Sequence, residues 1–338
     1  DMIQGLKDDG EQIELDLLDV SEMRDDAYAV MVAGLGSPVA MLDPDMPRFG
    51  PDAVFAYRAF QKAFAAEGKK LEYLYSGEMG GFNTFTPMLV AILSDKDPAK
   101  RIKFVDADGN GRAVPELNTT INAFYDHPPK PMGMGSLYGE EIIVYPTTDH
   151  SGEQIARQMC MLYNMRIGFA TWGMNKEEIT NILDVGCVTK AQKIGKAILT
   201  AKETGSDVMD ELKKAFEVRE FCRGTIEKLD LRAEGGFDFG TTVIKGDDGH
   251  TYYIDFKNEN LILRDEKGDT IMTAPEGIGM IDLNNCFPLT NADTKEGMRV
   301  LVTMTPAHPN WWDEDHKAYT CWLPELKKVG MKGDQVRY

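Results

Sequence analysis

The densest concentration of ionisable and turn-forming residues in the chain is the run Val105-Asp106-Ala107-Asp108-Gly109-Asn110-Gly111-Arg112-Ala113-Val114-Pro115-Glu116-Leu117-Asn118. Side chains alternate faces along a strand, so Asp106 and Asp108 share a face if the strand continues through them. Two carboxylates held together repel, and a shared proton, an arginine or a cation relieves the repulsion. Arg112 is the nearby arginine, and a divalent metal bound by Asp106, Asp108 and Glu116 is the alternative. A third reading is a structural turn whose carboxylates cap backbone amides, since Asp, Asn and Gly are common turn formers. So many charged groups favour a site over a plain turn. The six residues from Asp106 also match the opening of a calcium-binding EF-hand loop. That match fails, because position twelve is Leu117 instead of Glu, Pro115 interrupts the loop, and a strand precedes it where a helix belongs.

A second run, Ser76-Gly77-Glu78-Met79-Gly80-Gly81-Phe82-Asn83-Thr84, pairs glycines with functional side chains. Gly80 and Gly81 let the backbone approach a ligand closely and expose its N–H groups. Glu78 is a candidate general base or metal ligand, and Asn83 a candidate donor to a carbonyl or oxyanion. The competing reading is a Gly-rich helix entry with Glu78 in a salt bridge. The run is neither a P-loop nor a dinucleotide fingerprint, so no nucleotide cofactor is expected. Farther along, Asn258 and Glu259 in Phe256-Lys257-Asn258-Glu259-Asn260-Leu261 are candidate substrate contacts at a strand end, or else a polar connection between strands. None of the five histidines has H-x-x-x-H spacing, and Cys187, just before a helix, reads as a buried, inert thiol.

The elements around these runs read as an α/β arrangement. Strands are expected at 13–18, 27–33, 71–75 and 101–105, with helices at 51–67 and 85–94, from the periods of their apolar residues. Strand, polar Gly-rich turn and helix therefore repeat, and ligands in such folds bind where loops leave the carboxyl ends of strands. A strand at 141–145 follows. A helical middle section then covers 155–172, 179–183, 190–204 and 208–218, with capping patterns at Ser151/Gln154 and Asn175/Glu178. From Gly224 the chain becomes β-like. Strands at 239–244 and 251–256 flank one hairpin signature, strands at 261–264 and 270–273 flank another, and 298–304 adds one more. The expectation is an α/β domain at 1–223, including the helical section, followed by a smaller, mainly antiparallel β domain at 224–338. The aromatic tail with Trp311 and Trp312 is expected to dock.

Composition sets the boundaries of function. With 37 basic and 55 acidic residues the formal net charge is −18. Such a field repels phosphate backbones and anionic membrane surfaces, so neither nucleic acid nor membrane is an expected partner. No apolar run approaches the ~20 residues a membrane span needs. The five cysteines are scattered, with no C-x-x-C pair, and nothing like a signal peptide opens the chain, so a reducing, cytoplasmic compartment is expected.

The run from Val105 to Leu117 resembles the hallmark of the S-methyl-thiohydantoin desulfurase-like family. Further stretches resemble that family's pattern in order: Gly36-Ser37-Pro38-Val39, Gly77-Glu78-Met79-Gly80-Gly81-Phe82-Asn83, Arg232-Ala233-Glu234-Gly235-Gly236-Phe237 and Lys257-Asn258-Glu259-Asn260-Leu261. The family's opening Gly-rich turn is matched only by its tail at Asp1-Met2, so a preceding piece is expected upstream, and the pattern is poorly matched after Trp312. The resemblance implies an α/β N-terminal domain, a β-rich C-terminal domain, and hydrolytic attack on a thiohydantoin or related cyclic imide that releases a sulfur leaving group. It also implies hydantoinase- or oxoprolinase-like partner proteins. The resulting expectation is a hydrolase, forming a homo-oligomer, that cleaves a C–S or C–N bond of a small five-membered ring. Glu78 activates water, Asp106, Asp108 and Glu116 share acid/base work or hold a divalent metal, and Arg112 and Asn83 orient the ring carbonyl. Gly80, Gly81, Asn258 and Glu259 complete the substrate contacts. The alternatives are a non-catalytic subunit of a hydantoinase-like assembly and a small-molecule binding protein.

Overall fold

The computed structural model describes residues 2–36, 45–125, 127–234 and 237–338. Ser37, Pro38 and Val39 of one family-like stretch, and Gly235 and Gly236 of another, lie outside them. The chain divides into two compact units, Asp1–Val188 and Thr189–Tyr338. The division falls well before Gly224, where the composition shifts.

The first unit is α/β. After helix α1 (Met2–Asp8) its sheet uses β1 (Leu17–Leu18), β2 (Tyr28–Gly36), β3 (Leu71–Ser76), β4 (Lys103–Asp108), β5 (Met132–Gly135), β6 (Glu141–Val144), β7 (Arg166–Asn175) and β8 (Asp184–Val185). The strand order is β1-β4-β3-β2-β7-β5-β6, with β8 paired to β4. Strands β1, β4, β3 and β2 run parallel, and β7 joins β2 antiparallel. Helices α2 (Pro51–Ala66) and α3 (Phe85–Ser94) follow β2 and β3. Helix α2 starts with Pro51 at its first position, where a missing N–H costs nothing. Its Val54, Phe60 and Phe64 enter one core with Val30, Val32, Leu74 and Phe104 of the sheet. The layering expected from alternating strands and helices is present.

Close packing of α2 on the sheet depends on glycine. A Cβ at Gly168 would meet the Asp52 carbonyl and lie 2.6 Å from the Ala53 nitrogen, and one at Gly135 would lie 2.7 Å from Phe55 Cβ. Helix backbone thus lies directly against β5 and β7. Gly168→Ala is expected to destabilise the protein by about 1–3 kcal/mol, the usual penalty for overpacking, read as a lower urea midpoint with unchanged slope. An unaltered midpoint would mean that the helix can retreat freely.

The expected helix at 155–172 is not formed as such. Helix α4 (Asp149–Leu162) opens at N-cap Thr148, whose hydroxyl accepts from the Ser151 amide, and it stops before β7 begins at Arg166. The second half of the run is instead a central strand, and apolar residues buried on both faces lose the alternation that marks a strand. Helix α5 (Lys176–Ile182) is opened by Asn175 and Glu178 in the expected reciprocal cap. Among the described residues no helix is long and apolar enough to cross a membrane.

Helix α6 (Cys187–Thr204) leads into the second unit, followed by α7 (Val208–Ala215). That unit is an antiparallel sheet of β9 (Arg219–Glu234), β10 (Phe237–Gly246), β11 (Thr251–Lys257), β12 (Glu259–Arg264), β13 (Thr270–Thr273), β14 (Gly277–Asp282), β15 (Phe287–Pro288) and β16 (Arg299–Thr305). Their order is β13-β12-β11-β10-β9-β16-β14-β15, with both hairpins where the Gly-Asp turns predict them. Residues of seven of these strands, among them Cys222, Ile244, Ile254, Leu263, Met272, Met280 and Val302, share one core. Ala197 and Ala201 of α6 and Val208 and Leu212 of α7 pack with Ile281 and Leu301. The tail docks within this unit. The Thr273 amide donates to Val336 O (3.0 Å), and Trp312 stacks on Tyr319 with ring centroids 4.8 Å apart. Helix α8 (Leu323–Lys328) carries Glu325, which forms a fully buried pair with Lys257 (2.6 Å).

Candidate functional site

Strands β3 and β4 are parallel neighbours, with Ser76 and Asp108 opposite one another where both strands end. The loops that leave them, carrying the two polar runs, are therefore adjacent. The Gly109 amide donates to Ser76 O (2.8 Å), and Asn110 Nδ2 donates to Gly77 O (2.8 Å). A Cβ on Gly109 would sit 2.7 Å from Gly77 O, so only glycine allows this approach. Two stretches some thirty positions apart are thus joined by backbone contact.

Glu78 is the side chain that crosses between them. Its Oε1 accepts from Asn83 Nδ2 (2.6 Å) and its Oε2 from the Val114 amide (2.8 Å). Burial raises its pKa above the ordinary 4.5, against the two donated bonds, which lower it. Asn83 braces this carboxylate. Its Oδ1 accepts from the Gly34 amide (2.8 Å) and its Nδ2 donates to Gly34 O (3.1 Å) as well as to Glu78. Both amide hydrogens are spent, so the expected donor to a substrate carbonyl acts here as a tie between Glu78 and β2.

Asp108 is wholly buried. Its Oδ1 accepts from the amides of Asn110 (2.9 Å) and Gly111 (2.6 Å), and Gly111 adopts the left-handed φ of 68°. Its Oδ2 has no hydrogen-bond partner among the described residues, and the Ser76 hydroxyl donates to Glu78 O (3.0 Å). Burial pushes the Asp108 carboxyl up to about 7, opposed by the backbone donors and the neighbouring Ser76 hydroxyl and reinforced by the charge on Glu78. The two acids therefore lie within electrostatic reach. Their environments differ, since Glu78 is gripped at both oxygens and Asp108 at one.

The remaining predicted residues are dispersed. Asp106, buried, accepts from the Val188 amide (2.8 Å), where α6 begins, and its backbone oxygen takes the Gly186 amide. The Glu116 amide meets Thr119 Oγ1 (3.3 Å) at a short turn of helix. Among the described residues no three His, Cys, Asp or Glu side chains gather as a metal-binding set. Asp106, Asp108 and Glu116 therefore do not fit the divalent metal expected for them, because Asp106 is drawn to the Val188 amide, Asp108 to the Asn110 and Gly111 amides, and Glu116 to the cap of its own short turn. Arg112 Nε donates to Ala113 O (3.2 Å). Gly80 and Gly81 are exposed, and nothing lies within 4 Å of a Cβ built on Gly81. Asn258 and Glu259 belong to the second unit. There Asn258 takes a left-handed φ of 54°, its Oδ1 accepts from the Asp238 amide (2.9 Å), and its carbonyl accepts from Asn291 (2.7 Å). That is the pattern of a polar connection between strands.

Sequence reasoning missed several neighbours of the acids. Tyr75, fully buried, donates its hydroxyl to Trp172 O (2.8 Å), and its pKa is raised by burial and by the charges of Asp108 and Glu178. Asn110 Oδ1 accepts from the Ile121 amide (3.0 Å), which ties the Asp108 turn to the segment that follows. Asn110 lies within the first predicted run and Tyr75 immediately precedes the second, so both could have been included on proximity alone. Nothing in the sequence marks Trp172.

Two family profiles match this chain in succession: S-Me-THD-like, N-terminal domain, over residues 2–146, and S-Me-THD-like, C-terminal domain, over residues 147–324. No curated protein matches it. A crystal structure of a protein from Chromobacterium violaceum is similar in fold, with a TM-score of 0.77 at 23% identity over 96% of this chain and 87% of that one.

Proposed function

Because the chain belongs to the S-Me-THD-like family, we propose that it is a hydrolase of small five-membered rings of the thiohydantoin type, using Glu78 and Asp108 as a base and acid pair. The observation that carries this reading is the meeting of the part-buried Glu78 carboxyl and the buried Asp108 carboxyl, with unequal surroundings, at the ends of adjacent parallel strands. Burial raises both carboxyls and carries Asp108 to about 7, so Asp108 is assigned as the acid and Glu78 as the base. Glu78, held by two donors, is the anion that removes a proton from water. The water oxygen then bonds to the ring carbon bearing sulfur, and the C–S bond breaks. The departing sulfur takes its proton from Asp108, so S-methyl-thiohydantoin and water give hydantoin and methanethiol. In this reading Arg112, four residues beyond Asp108, steadies the ring oxygen. The expected metal has no step here, since its ligands do not converge.

The test is incubation of the full chain with S-methyl-2-thiohydantoin in ¹⁸O-labelled water, following thiol release and one labelled oxygen in the ring product. A base must be ionised and an acid protonated, so the rate follows a bell-shaped curve. Above about pH 7 it falls tenfold per unit as Asp108 loses its proton. In Asp108→Asn the residual activity no longer changes through that range. An intact alkaline limb in this variant removes Asp108 from the acid role, and binding without any thiol release points to a binding protein instead.

A further inference from the structure

We propose that Asn122 and Trp172, together with Asp108, form the set of hydrogen-bonding groups that recognises the edge of a ring carrying an N–H beside a C=O. This rests on the reading of a ring substrate given above. Each of these side chains is at least 97% buried, at 1%, 3% and 0% exposure respectively. Each also keeps one polar atom without a hydrogen-bond partner among the described residues: Asn122 Oδ1, Trp172 Nε1 and Asp108 Oδ2. Buried polar atoms are nearly always paired in folded proteins, because an unmade bond is costly, and exceptions call for a cause.

The three belong to one neighbourhood. Asn110, two residues beyond Asp108, accepts from the Ile121 amide at 3.0 Å, which places Asn122 next to the Asp108 turn. Tyr75 connects the other side, since its hydroxyl donates to Trp172 O (2.8 Å) and it lies within electrostatic reach of Asp108. Tyr75 and Trp172 share the sheet face turned away from α2. Leu74 faces the α2 core, so Tyr75 points to the opposite side. A Cβ on Gly173 would meet Phe64 and Phe60 of α2, so Trp172 beside it also points away. The His127 amide donates to Asn122 O (3.3 Å), and the His127 ring approaches Glu178 of α5 (3.8 Å), which also acts electrostatically on Tyr75. Trp172 has the left-handed φ of 54° at an irregularity of the β2–β7 pairing. A bulky residue adopts that conformation only where its surroundings hold it there, and such strain clusters at functional sites.

The chemistry of the three atoms is complementary to one kind of ligand. The indole N–H can only donate, and so calls for a carbonyl oxygen. The Asn122 oxygen can only accept, and so calls for an N–H. Asp108 Oδ2 accepts when ionised and donates when protonated. Hydantoins and cyclic imides present N–H and C=O side by side in one plane. A site built on such bonds discriminates strongly against analogues that lack one of them.

The test measures binding of hydantoin to the full chain by ¹⁵N–¹H spectra of the indole groups, with the Trp172 signal assigned by its loss in Trp172→Phe. Hydantoin is expected to move that signal, and N-methylated hydantoin to bind at least tenfold more weakly. Asn122→Leu should weaken hydantoin binding at least tenfold while leaving the thermal midpoint unchanged or higher, because it removes an unpaired buried oxygen. Trp172→Phe provides the second variant if Asn122→Leu does not fold. Wild-type affinity in either folded variant, or no hydantoin binding at millimolar concentration, overturns the proposal. Binding is read apart from turnover, so the two ideas fail separately. Ring binding that depends on Asn122 with no thiol release sinks the hydrolase alone, whereas thiol release unaffected by Asn122→Leu sinks this set alone.

Discussion

Glu78→Gln lowers kcat for S-methyl-2-thiohydantoin by a factor on the order of 10²–10⁴, the range that a positioned acid or base contributes. KM changes little, because the loss falls on the reacting water and not on ring binding. The physical reason lies in the two bonds that hold the carboxylate. Asn83 Nδ2 and the Val114 amide are both donors, at 2.6 and 2.8 Å. A carboxylate satisfies both as an acceptor, whereas a glutamine must turn its own NH₂ toward one of them. The variant therefore loses the negative charge and one hydrogen bond together. The bond alone is worth about 1 kcal/mol of stability, so a modest fall in thermal midpoint beside a large fall in kcat is the expected signature. A kcat within threefold of wild type would reduce Glu78 to a structural strut between the two loops.

The second large effect concerns folding. Arg166 and Asp52 form an ion pair in which both side chains are 1% exposed, with Nη2 and Oδ2 3.2 Å apart. Arg166 also donates to Pro47 O (2.5 Å), and Asp52 lies in the first turn of α2, where the helix field favours an anion. Removing one partner strands the other charge in the core, which costs about 3–5 kcal/mol. Arg166→Met and Asp52→Leu should each lose stability on that scale in urea titrations of the full chain, and the double replacement should recover most of it. Single variants within about 1 kcal/mol of wild type would show that water reaches the pair.

The two polar runs were legible in the sequence because their signals are local. Glycine, aspartate and asparagine mark turns through backbone preferences that need no distant partner. The hairpins around Lys245–Gly249 and Asp265–Asp269, and the Asn175/Glu178 cap of α5, were predictable for the same reason. The segment from Arg166 to Asn175 was not. Its burial on both sides erases alternation, and its place between β2 and β5 depends on strands more than thirty residues away in sequence. Asn83 shows a subtler limit. Its residue type suits a substrate donor, but Gly34, 49 residues earlier, takes up one of its two hydrogens.

What the sequence determined by itself was the family, the order of strand, turn and helix, and the presence of acids at two strand ends. Those follow from residue types and short spacings. Only the tertiary structure decided which acids meet. Asp106 and Asp108 look equivalent two positions apart, but the chain returns 82 residues later to offer Asp106 the Val188 amide, while β3 delivers Glu78 beside Asp108. The choice of partner depends on how distant segments pack, and spacing along the chain carries no record of that.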